Sequence, residues 1–180
     1  MTETIVLGGG CFWCTESIFL ALNGVEKVVS GYIGGHTADP DYRSVCSGQT
    51  GHAEAVAIDF DPDSISFRQL LQVFFATHDP TTPNRQGHDV GSQYRSAIFY
   101  LDATQHDTAL ALIAELEQQQ VFPSPIVTTL EAASRFYPAE DYHQHYFALH
   151  GDEPYCQAVI LPKQHRLRRA FAAWLKQADT

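Results

Sequence analysis

Cys11 and Cys14 bracket two aromatic residues, Phe12 and Trp13, directly after three glycines, Gly8-Gly9-Gly10. A short apolar run, Ile5-Val6-Leu7, precedes the glycines and reads as a strand, and Ile18, Phe19 and Leu22 follow at helical spacing. Cys11 is therefore expected where a strand hands over to a helix, with glycine letting the backbone turn. A thiol at a helix start feels the positive end of the dipole and free N–H groups, and both favour thiolate, the reactive form. Packing is the commoner role for such a cysteine. The glycines, the paired aromatics and the second thiol shift the reading to a nucleophile. Large apolar rings beside an activated sulfur suit a substrate that carries a small apolar group.

A group able to move a proton is Glu54. It opens an alternating stretch, Glu54 to Phe60, close to His52 and within mostly apolar sequence. Burial there would hold the carboxyl protonated and make it an acid; a solvated strand glutamate is the plain alternative. Cys14 gives Cys11 a C-x-x-C spacing used in redox motifs, although inside a regular helix that pair would need local unwinding. Three further chemistries compete for these residues. His52-Ala53-Glu54 fits half of a zinc-deaminase pattern, but Pro154-Tyr155-Cys156 has no cysteine three residues on. His143, His145 and His150 read as solvated or packed, so no metal is expected. A general disulfide oxidoreductase would use Cys11 and Cys14 and leave Phe12, Trp13 and Glu54 without a task. A pure binding module would hold its ligand without turning it over.

These groups need elements to position them. A first helix is predicted over 15–22, stopped by Asn23-Gly24, then a strand from Val25 to Ile33. Tyr42 to Val45 reads as one helical turn. After the Glu54 strand, Ser66 caps a helix to Thr77 that carries Leu70, Leu71, Phe74 and Phe75 at helical spacing. The long polar stretch His78 to Tyr94 has the length of a functional loop. A strand over Arg95 to Leu101, a helix from Asp102 to about Gln120 and a strand over Ile126 to Leu130 follow. Tyr137 to Leu149 reads as a short helix, Gln157 to Leu161 as an edge strand, and Pro162 opens a last helix to about Ala178. Alternating strands and helices give an α/β or α+β class.

The 180-residue chain fits a single domain, 1–180, with a sizeable core. A formal net charge of −10 argues against nucleic-acid binding. Lys163, Arg166, Arg168, Arg169 and Lys176 gather near the end and read as one solvated helix face. No run is long and apolar enough to span a membrane, and the first residues lack a secretory pattern. Four cysteines do not form a secreted disulfide framework, so a cytoplasmic, reducing location is the expectation.

The stretch Gly10-Cys11-Phe12-Trp13 resembles the signature of the A-type peptide-methionine (S)-S-oxide reductases. The resemblance recurs in order at Gly48 to Val56, His78 to Thr82, Gln86 to Ser96 and Ala139 to Gln144, and covers most of the chain. It implies an α+β fold: a two-layer sandwich with a ferredoxin-like core and long flanking loops. It implies reduction of methionine S-sulfoxide, free or in proteins, by the Cys11 thiolate through a sulfenic acid, with Glu54 as acid–base group. On this resemblance Tyr42 and Tyr94 hydrogen-bond the sulfoxide oxygen and Asp89 is the active-site carboxylate, while Phe12 and Trp13 are placed in sequence to hold the S-methyl. A second thiol would close the cycle. Cys156 is favoured slightly over Cys14, a one-cysteine cycle remains open, and Cys46 resembles a family cysteine without a settled role. No bound cofactor is implied; the electrons come from thioredoxin or another thiol such as dithiothreitol, and the chain is expected to act as a monomer.

Overall fold

The computed structural model describes residues 1–177. Its first strand, β1 (Glu3–Gly9), runs through the glycines and ends at Gly10, whose φ of +92° is a left-handed turn suited to glycine. Helix α1 (Phe12–Leu20) starts at once with Cys11 as its N-cap. Strand β2 (Val25–Ile33), the short helix α2 (Tyr42–Cys46) and strand β3 (Ala53–Phe60) follow in that order. Next come helix α3 (Phe67–Thr77), a small hairpin of β4 (Arg85–Gln86) and β5 (Asp89–Val90), and strand β6 (Ser96–Tyr100). Helix α4 (Ala103–Gln118), strands β7 (Thr129–Ala132) and β8 (Tyr137–Pro138), and helices α5 (Tyr146–His150) and α6 (Leu161–Phe171) complete the chain.

The sheet order is β7-β6-β1-β3-β2-β8, and every pair is antiparallel except β6 with β7. Stripped of its edges this is β1-α1-β2-β3-α3-β6 in chain order and β6-β1-β3-β2 in space, the ferredoxin-like arrangement. The class is α+β, as the motifs implied. Alternation along the strands sorts side chains by face. Ile5, Leu7, Val56, Ile58 and Phe60 pack with Ile18 and Phe19 of α1 and Leu70, Leu71 and Phe74 of α3. Val6, Ala55, Ala97 and Phe99 face the other way, under a lid formed by Ala133 and Phe136. Gly31 lets that lid approach: a Cβ there would stand 2.4 Å from Phe136 Cζ and 2.5 Å from the Tyr137 carbonyl oxygen.

Several boundaries differ from the sequence expectation. The first helix begins three residues before 15, because Cys11 already accepts the Cys14 N–H at 3.1 Å. The 78–94 stretch folds its own hairpin and a 3-10 turn at Ser92–Tyr94. The expected strand at 126–130 forms at Thr129–Ala132 instead. The segment from Tyr137 divides into β8, a 3-10 turn and α5. The expected edge strand at 157–161 is wrong. Cys156–Ile160 is one π-helical turn that runs straight into α6. Buried Cys156, Ile160, Lys163 and Leu167 repeat every three or four residues, a helical period that the short apolar run Ala158 to Leu161 does not disclose. The last helix ends at Phe171, with a 3-10 turn at Ala172–Trp174, and Ala178 lies outside the described residues. Among the described residues no helix is long and apolar enough to cross a membrane.

Candidate active site

Cys11 occupies the corner between β1 and α1 with extended N-cap backbone, so its side chain leaves the helix rather than lying along it. This removes the geometric objection to a Cys11–Cys14 pair: the first thiol precedes the helix and no unwinding is required. The two thiols are close enough to shift each other's ionisation. Burial pushes the Cys11 thiol well above the ordinary cysteine range, helped by Cys14 and Glu54 and opposed by the Trp13 N–H. The helix start therefore acts in the expected direction but is outweighed by desolvation. Cys14 moves the other way, down to about 7, first because Cys11 donates to it, then because Lys163 and Tyr155 favour its thiolate. The pair loses a proton near neutrality, and the two coupled thiols share the resulting charge.

Glu54 sits in β3, 1% exposed, facing α1. Its Oε1 accepts the Phe12 N–H at 3.2 Å. Burial pushes its carboxyl up to about 8, with smaller contributions from Asp89 and Cys14. At neutral pH it is a protonated acid attached to the residue after Cys11.

The aromatics form a wall around these groups. Trp13 stacks on Tyr146 with ring centroids 3.7 Å apart and 4° between planes, and meets the edge of Tyr155. Its Nε1–H donates to His143 Nδ1 at 3.0 Å. The His143 ring contacts Phe12 and Tyr42, so one imidazole braces both α1 aromatics and α2. With Nδ1 accepting, Nε2 carries the proton, and among the described residues it is a buried donor without a partner. Tyr155 donates to Asp89 Oδ2 at 3.1 Å and lies 3.8 Å from Cys14 Sγ. Glu140 accepts from the Tyr32 hydroxyl and the Tyr42 N–H, both at 3.0 Å, and locks α2 against β2.

The structure gathers the sequence candidates. Tyr94, in the turn before β6, lies within electrostatic reach of Glu54, Asp89 and Cys11, and Tyr42 within reach of Glu54 and Tyr94. Burial raises both phenols, so they stay protonated donors. Cys46 is exposed and lies near Tyr42, whose phenol it helps to keep protonated. Cys156 is fully buried, in one cluster with Cys14 and Ile160. His52 pins two loops, accepting from the Gly35 N–H and donating to the Thr37 carbonyl. Among the described residues no group of three His, Cys, Asp or Glu side chains could hold a metal. His143, Tyr146, Tyr155 and Glu140 were missed as site residues. The available signals were the dense His/Tyr composition after Tyr137 and, for Glu140 and His143, their place in the Ala139 to Gln144 block.

The family's sequence model, described as peptide methionine sulfoxide reductase, matches residues 3–175. The chain belongs to the peptide methionine sulfoxide reductase family. It is 60% identical over 174 residues to the peptide methionine sulfoxide reductase MsrA of Chromobacterium violaceum, covering 97% of this chain and 99% of that one. Among solved structures it is similar to reduced Mxr1 from Saccharomyces cerevisiae, with a TM-score of 0.80, 34% identity and coverage of 86% and 89%. It is also similar to Mxr1 solved in complex with Trx2, with a TM-score of 0.58, 26% identity and coverage of 81% and 84%. As a peptide methionine sulfoxide reductase, it is an oxidoreductase acting on sulfur.

Proposed function

We propose that the chain reduces methionine S-sulfoxide, free or within proteins, with Cys11 as nucleophile and Glu54 as acid. The carrying observation is the hydrogen bond from the Phe12 N–H to Glu54, which ties a carboxyl that is neutral at pH 7 to the residue beside Cys11. Charge on the Cys11–Cys14 pair moves to Cys11, whose sulfur attacks the sulfoxide sulfur. The sulfur–oxygen bond of the sulfoxide breaks, its oxygen passes to Cys11 and takes the Glu54 proton, and methionine leaves as a thioether. Cys11 is left as a sulfenic acid. Tyr42 and Tyr94 hydrogen-bond the oxygen as it gains charge, a role supported by phenols that burial keeps protonated. Phe12 and Trp13 seat the S-methyl, supported by the bracing of Trp13 between Tyr146 and His143. Asp89, held by Tyr155, orients the substrate backbone.

A second thiol, Cys156 or Cys14, then forms a disulfide that an external dithiol reduces. Thioredoxin is the reductant we propose, supported by the relative solved with Trx2. The chain is proposed to act as a monomer. Four free thiols suit a reducing, cytoplasmic setting and the repair of oxidised proteins.

Separated S and R sulfoxides of an acetylated methionine peptide test this reading. With dithiothreitol the S epimer is reduced and the R epimer is not, and Cys11→Ser abolishes turnover. Equal rates on both epimers, or activity surviving in Cys11→Ser, would overturn it.

A further inference from the structure

Lys163 departs from the solvated basic face that the sequence suggested. Arg166, Arg168 and Arg169 are exposed, but Lys163 is only 9% exposed. It lines one small cavity with Cys14, Gly9, Phe74, Thr77 and His78. His78 is neutral there, since burial pushes its imidazole down to about 4. Among the described residues no carboxylate pairs with the Lys163 ammonium. An ammonium that is nine-tenths buried needs a counter-charge, and Cys14 is the wall of that cavity able to supply one. Cys156, Ile160 and Lys163 fall at i, i+4 and i+7 along the π turn and α6, so one face presents both a cation and a thiol to α1. Cys14 and Cys156 are buried together, with Cys11 packed at the margin of their cluster.

We propose that Cys14 is the thiol that first resolves the Cys11 sulfenic acid, that Lys163 is the cation that positions and activates it, and that Cys156 then takes over the disulfide. This rests on the reductase reading above. In the first step the Cys14 sulfur attacks the Cys11 sulfur. The S–O bond breaks, the S–S bond forms, and the Cys14 proton leaves with the oxygen as water. The Cys14 sulfur is oxidised and the Cys11 sulfur reduced, with no outside reactant. In the second step Cys156 attacks the Cys14 sulfur, the Cys11–Cys14 bond breaks, and the Cys156 proton passes to Cys11. Cys11 is then free for substrate while the disulfide waits on the C-terminal helix for the external dithiol. The groups facing Cys14 are Cys11 and Tyr155 at the site, Lys163 and His78 in the cavity, Cys156 beside it, and the more distant Asp89 and Glu54. Of these only Lys163 is an amine, and it is the group whose charge favours the Cys14 thiolate.

The experiment is a single turnover of the full chain with S-sulfoxide peptide and no reductant, quenched in acid, alkylated and mapped by mass. The methionine burst reports the activity itself, and the map reports the order of resolution. The Cys11–Cys14 disulfide should appear first in the parent protein and accumulate in Cys156→Ser. A Cys14→Ser protein that forms Cys11–Cys156 at the parent rate would overturn the order. In Lys163→Met the sulfenic acid, trapped with dimedone, should persist several-fold longer at pH 6.5, because removing the cation that favours the Cys14 thiolate leaves less of the attacking form. The gap should close by pH 9 and Lys163→Arg should restore the parent lifetime, neither of which a merely structural role would produce. An unchanged lifetime at pH 6.5 would overturn the role of Lys163. Loss of the burst in the parent protein would remove the activity, and this inference with it.

Discussion

The backbone N–H of Phe12 donates to Glu54 Oε1 at 3.2 Å, across 42 residues of chain. One bond thereby fixes where the helix of the nucleophile starts relative to the strand of the acid. It also supplies the only hydrogen bond among the described residues to a carboxyl that is almost fully enclosed. A lone N–H does not offset desolvation, which is why Glu54 holds its proton to about 8.

That proton has a cost in stability. Glu54 has a folded pKa raised above its ordinary 4.5 to about 8. Between those values the folded chain binds more protons than the unfolded chain, so this group lowers stability as pH rises and the loss is complete above 8. Glu54→Gln should therefore raise the unfolding free energy at pH 8 by on the order of a few kcal/mol, and the melting temperature with it, and change both little at pH 4.5. Calorimetry at both pH values checks the sign.

The pre-steady-state burst of methionine should follow a bell in pH. The rising limb reports proton loss from the Cys11–Cys14 pair near 7, and the falling limb reports ionisation of Glu54 near 8. Rapid-quench rates from pH 5.5 to 9.5 provide the curve. A burst that keeps rising to pH 9.5 would remove Glu54 as proton donor.

His143→Phe deletes the acceptor for Trp13 Nε1 and keeps a ring among Phe12, Tyr42 and Trp13. Leaving the indole N–H unpaired costs about 1–3 kcal/mol of orientation, so kcat/KM for S-sulfoxide should fall roughly tenfold to a hundredfold. Dimedone labelling of Cys11 by hydrogen peroxide, which needs no methyl seat, should change far less.

Much of the site was legible because its central groups are local. Three glycines, Cys11, Phe12 and Trp13 are contiguous, and Glu54 opens a strand whose alternation is plain. The supports for those groups come from far along the chain: Trp13 meets His143 across 130 residues and Cys14 meets Tyr155 across 141. No short-range period reports such a contact. Cys156 was visible as a thiol, but the short apolar run Ala158 to Leu161 before Pro162 reads equally as strand or helix, and the strand reading hid the shared face of Cys156, Ile160 and Lys163. The ionisation of Cys11 was the other misreading. Helix position is a sequence property, whereas the desolvation that outweighs it depends on what the fold packs around the sulfur.

The most direct test is the single-turnover methionine burst of Glu54→Gln on S-sulfoxide at pH 7, beside the parent protein. Glutamine keeps the acceptor for the Phe12 N–H but has no proton to give. The burst rate should fall by about a hundredfold or more, with Cys11 still titratable by iodoacetamide; a burst at the parent rate would contradict a neutral Glu54 as the acid.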